Sequence, residues 1–83
     1  MANQEHLAVV KAGPKSIADW REENPGVALD LEGVDLSGAD LKECKIRNAN
    51  LSGASLAGAS LFRASFAGAD LTSANLEGAD MGR

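Results

Sequence analysis

The chain has one cysteine, one histidine and no tyrosine in its 83 residues. Cys44 alone cannot close an internal disulfide, and a reducing cytoplasm is the expected compartment. With His6 as the only histidine, neither a multi-histidine metal site nor a catalytic triad is expected. Aromatic residues are confined to Trp20, Phe62 and Phe66, too few for a base-stacking platform. No stretch approaches the ~18 apolar residues of a bilayer span. The segment Met1 to Val10 carries Glu5 and His6 and lacks a basic start followed by an apolar run, so no cleaved signal peptide is expected. The net charge of −4 argues against nonspecific nucleic-acid binding, which needs many phosphate-neutralising cations.

What the chain does have is a period of five. A bulky apolar residue recurs at Leu31, Leu36, Leu41, Ile46, Leu51, Leu56, Leu61, Phe66, Leu71, Leu76 and Met81. Two places before each stands a small or apolar residue, from Leu29, Val34, Ala39 and Cys44 through to Ala79. A five-residue period fits neither a helix of 3.6 residues per turn nor a strand alternation of two. It fits a chain that turns a corner every five residues, as in a solenoid whose units bury their faces only by stacking. Gly33, Gly38, Gly53, Gly58, Gly68 and Gly78 each follow a bulky residue by two places, where a corner calls for permissive backbone angles.

Residues 1–28 do not follow the period. Leu7 and Val10 suggest one short helix, stopped at Gly13-Pro14. Pro14 can open a second, because proline is tolerated in a first helical turn. Ile17, Ala18, Trp20 and Arg21 then have the spacing of one helix face, and Asn24-Pro25-Gly26 ends it.

Units such as Ala39-Asp40-Leu41-Lys42-Glu43, Ala49-Asn50-Leu51-Ser52-Gly53 and Ala69-Asp70-Leu71-Thr72-Ser73 resemble the pentapeptide-repeat family, whose consensus is Ala-Asp/Asn-Leu-x-x. The segment Trp20-Arg21-Glu22-Glu23-Asn24-Pro25 is similar to leaders of bacterial members. The resemblance implies an all-β solenoid, a right-handed quadrilateral β-helix of just under three coils over 29–83, behind a helical N-terminal cap over 1–28. Four repeats per coil would stack residues i and i+20. The residues before the bulky positions would then form columns Asp30-Asn50-Asp70, Asp35-Ser55-Asn75 and Asp40-Ser60-Asp80, in which no two aspartates are vertical neighbours. Like charges one strand spacing apart repel, so the alternation is favourable. Glu43 would lie under Arg63 as an attractive pair.

The bulky column reads as packed core and not as a cofactor box, and Cys44 as a buried, inert thiol. Trp20 is expected to cover the first coil, against Leu29, Leu31 or Leu36, and His6 to sit on a solvated helix face. The end formed by Phe66, Leu71, Leu76 and Met81 would be open, and three explanations compete for it: an end-to-end homodimer, a docked partner, or a longer chain. Family members often dimerise there, which favours the homodimer. Lys42, Lys45, Arg47, Arg63 and an outward-pointing Phe62 would gather at one corner, as a partner site or as a solvated edge. The spread of Asp and Ser over all faces is not a pattern of paired catalytic carboxylates. The expected function is a non-enzymatic protein-interaction or scaffold module without cofactor, metal, membrane, nucleic-acid or small-molecule partner. The alternative is a DNA-mimicking inhibitor of an enzyme such as gyrase, as some family members are.

Overall fold

The computed structural model describes residues 3–80. Two helices open the chain, α1 (Gln4–Lys11) and α2 (Pro14–Glu23). Asn3 caps α1, its side-chain oxygen accepting from the N–H groups of Glu5 and His6 at 2.8 and 3.3 Å. Pro14 starts α2, where its missing N–H has no partner to lose. Asn24 ends it, its N–H bonded to the Trp20 carbonyl, ahead of Pro25 and a left-handed Gly26.

From Asp30 onward the backbone pairs with itself in parallel, always twenty residues apart: Asp30 with Asn50 and then Asp70, Asp35 with Ser55 and Asn75, Asp40 with Ser60 and Asp80, and Lys45 with Ser65. Twenty residues hold four five-residue units, so each coil has four sides and four corners. Each side pairs through a single residue, because the rest of the unit is used by the turn. The bonds recur with the same partners in every coil. Leu31 N–H donates to the Asn50 carbonyl (2.8 Å), and Asn50 N–H donates back to the Leu29 carbonyl (2.9 Å). Corner 1 comprises 31–34, 51–54 and 71–74; corner 2, 36–39, 56–59 and 76–79; corner 3, 41–44 and 61–64; corner 4, 46–49 and 66–69.

Most corners close by a bond from the fourth residue's N–H to the first residue's carbonyl, such as Val34 to Leu31 at 3.2 Å. The third residue has positive φ, near 70° where it is glycine, which is the signature of a type II turn. The Asp and Asn of the repeat serve these turns. Asp30, Asp35, Asp40, Asn50, Asp70 and Asn75 each accept from the N–H two residues on, where the corner begins. Thr72 adds its hydroxyl to Asp70 at 2.6 Å, and the Thr72 hydroxyl and N–H together hold the Asp70 carboxyl below its ordinary value.

Glycine is not equally replaceable at all corners. A Cβ on Gly38 would meet open space, whereas one on Gly68 would run into the Asn48 side chain beneath it. Gly38→Ala is expected to cost about 1–2 kcal/mol from the left-handed backbone alone. Gly68→Ala should cost more, because Asn48 must also move. Equal melting temperatures for the two variants would contradict this placement.

The interior is apolar throughout. Leu31, Leu36, Leu41, Ile46, Leu51, Leu56 and Leu61 are buried, as are Leu29, Val34, Cys44, Ala49, Ala54 and Ala59. Val10 and Ile17 bring the two helices into the same cluster. Burial pushes the Cys44 thiol up, and the nearby Asp40 charge adds to the effect. The core thins toward the upper end, where an open face is expected. Phe66, Leu71 and Leu76 are only partly buried, because no further coil lies on them among the described residues. Met81, expected in the same column, lies outside the described residues.

Candidate functional site

The helices close the lower end of the coil through three polar contacts. The Asp30 N–H, which has no coil below it, donates to His6 Nδ1 at 2.9 Å. The Asp30 carbonyl accepts from the Asn3 N–H at 3.2 Å. At corner 4 the Arg47 carbonyl accepts from the Arg21 guanidinium at 3.3 Å. At these three points the N-terminal segment takes the place that a preceding coil would occupy, where unpaired backbone groups would otherwise remain. Trp20 is half-buried against the core, and its ring meets the His6 ring edge-on at 4.9 Å. The expectation of a solvated His6 is therefore wrong. Helix periodicity could not reveal it, because the bond depends on how α1 docks on residue 30. Ala18, read as part of the α2 apolar face, is exposed.

The surface is uneven. Three of the four sides carry carboxylates in their paired columns: Asp30 and Asp70, Asp35, and Asp40 and Asp80. The fourth carries Lys45 and Ser65 and no carboxylate. Corner 3 flanks it with Lys42, Glu43, Phe62 and Arg63, and corner 4 with Arg47 and Asn48. The five residues expected to cluster thus occupy one side and its two corners, with Lys42, Phe62 and Arg63 at corner 3 and Arg47 a corner away.

Two expectations about corner 3 are corrected. Phe62 is half-buried and not freely outward, and Arg63 lies over its ring, 5.3 Å from the centroid. Arg63 forms no ion pair with Glu43; the cation prefers the adjacent aromatic face, which needs no reach across coils.

This side also breaks the rules that the other sides obey. Lys45 stands where an Asx residue or Ser55 accepts from the next turn on the other sides, a bond that Ser60 and Ser65 also do not make. The 46–49 turn lacks the closing bond that the other described turns make. Glu43, Asn48 and Arg63 hold φ of 60–64° without being glycine, and among the other described residues Ser73 alone does so. Asn tolerates that region; Glu and Arg are strained in it by about 1–2 kcal/mol each. Beside corner 4 lies a cleft of about 220 Å³, lined by Arg21, Gly26, Val27, Ala28, Arg47 and Asn48. Val27, 49% exposed, is the large apolar side chain left in water among the described residues.

Among the described residues no His, Cys, Asp or Glu side chains group to hold a metal ion, and no helix is long and apolar enough to cross a membrane. Residues 29–61 and 49–83 match the family described as Pentapeptide repeats, in eight copies. The chain is a pentapeptide-repeat protein. Such repeats imply a β-helix, in keeping with the parallel pairing. No curated protein matches this pentapeptide-repeat chain.

Proposed function

We propose that this pentapeptide-repeat protein is a non-enzymatic interaction module whose upper coil receives a protein, a second copy of the chain in the first instance. The finer geometry proposed with it is a right-handed quadrilateral winding, the hand that parallel crossovers take almost without exception. The observation that carries the reading is the contrast between the two ends. Below, the first-coil residues Leu31, Leu36, Leu41 and Ile46 are buried, and the N-terminal segment takes up backbone groups of Asp30 and Arg47. Above, Phe66, Leu71 and Leu76 are half-exposed, and the N–H groups of Phe66, Gly68, Leu71, Ser73, Leu76 and Gly78 point along the ladder direction without an acceptor among the described residues. An apolar surface ringed by unpaired donors is suited to pairing with another backbone. The alternative of a DNA mimic finds less support. Its acidic columns are diluted by Asn50, Ser55, Ser60 and Asn75, and one side is basic.

Light scattering tests the reading on the wild type and on Leu76→Glu. A dimer is expected for the wild type and a monomer for the variant. A wild type that stays monomeric at high micromolar concentration would remove the self-pairing reading.

A further inference from the structure

We infer that the Lys45 side, with the Arg21–Val27 cleft beside it, docks an acidic protein segment in which a carboxylate lies next to an apolar side chain. The inference rests on the interaction reading above but uses a different surface from the upper coil.

Charge is the first support. Residues 41–49 and 61–69 carry Lys42, Lys45, Arg47 and Arg63 against Glu43 alone, in a chain whose net charge is −4. The other carboxylates of the coil lie on its other three sides and their corners, and the helices carry Glu5, Asp19, Glu22 and Glu23. Such a potential attracts a negative partner and repels a positive one.

The second support is the cleft. Arg21 donates one bond to the Arg47 carbonyl, which leaves most of its five N–H groups to a ligand. No carboxylate of the described residues pairs with the guanidinium of Arg21 or Arg47. Val27 offers an apolar contact in the same cleft. A partner carboxylate on the arginines and an adjoining apolar side chain on Val27 would satisfy both. The Phe62–Arg63 stack gives the far corner a flat, cationic face of the kind enriched at interfaces.

The third support is the cost of the arrangement. Lys45 offers the next turn no acceptor, and Glu43 and Arg63 strain the backbone, Arg63 gaining the stack on Phe62 and Glu43 no ion pair. Local rules are broken in this way where a surface serves something beyond stability. Four cations are too few to hold a duplex against the chain's own negative charge, so a protein segment fits better than nucleic acid.

The test is an amide-shift titration of isotope-labelled protein with a blocked Glu-Glu-Leu-Glu-Glu-Leu peptide. Its Gln-for-Glu counterpart and a short DNA duplex are titrated in parallel. Expected are shifts at Val27, Lys42, Lys45, Arg47 and Phe62, an affinity that falls with added salt, and weaker binding of the neutral peptide and the duplex. Lys45→Glu/Arg47→Glu should bind about ten-fold or more weakly, a loss of ~1.4 kcal/mol. Lys11→Glu/Lys15→Glu, an equal charge change on the helices, should bind nearly as wild type. Thermal melts establish that both variants fold. Absence of binding, shifts on another side, equal binding of the neutral peptide, tighter binding of the duplex, or an equal loss in the helix variant would each overturn the proposal. If that occurs while Leu76→Glu still dissociates a dimer, the acidic partner fails and the interaction module stands.

Discussion

Leu51→Ala is expected to destabilise the protein by about 3–4 kcal/mol, and Leu76→Ala by only about 1–2 kcal/mol. Both leucines hold the same place in the repeat. Leu51 is fully buried, in a column with Leu31 below and Leu71 above. Removing its side chain leaves a cavity that neighbouring coils, fixed by their ladders, cannot close. Leu76 is half-exposed, so truncation gives up less burial and leaves a notch open to water. Denaturant unfolding under monomeric conditions measures the difference. Comparable losses would mean that Leu76 is covered in solution, and the end contact would then persist at the concentration used. A repeat protein behaves this way because each unit is stabilised by its own packing and by its neighbours on either side.

His6→Phe is expected to cost about 1–3 kcal/mol, the penalty for leaving a partly buried N–H without an acceptor. Phenylalanine can keep the edge contact with Trp20 but cannot accept from Asp30. His6→Asn should be milder, because an amide oxygen can take the position of Nδ1 while the ring contact is lost. Hydrogen exchange at the Asp30 amide gives an independent reading, with protection falling in the Phe variant and largely kept in the Asn variant. Wild-type stability and protection in His6→Phe would show that the cap does not depend on the His6–Asp30 bond.

These two residues mark where reading the chain succeeds and where it stops. Leu51 announces itself, since its neighbours five residues away in both directions repeat its type and the corner glycines keep step. His6 announces nothing. It lies in a segment without the period, and a helix position says little about what a side chain meets twenty-four residues further on. Phe62 is an intermediate case. Its position in the repeat points it away from the interior, but the cation stacked on it and the coil beneath leave it half-covered. The basic side was legible as a list of five residues. That Arg21 and Val27 extend it into a cleft was not, because neither belongs to a repeat.

The period, the residues that face inward and, through kinship, the twenty-residue stacking that keeps aspartates apart are all legible along the chain. These are local properties: each described corner has a left-handed third residue, most have an acceptor at their start, and both come from within one or two adjoining units. Only the tertiary structure decided which members of a column are dry, how the helices complete the first coil, and which side collects the strain and the cations. Burial of a repeated leucine depends on whether another coil lies upon it. The polar cap depends on the docking of two helices, whose angle no five-residue unit encodes.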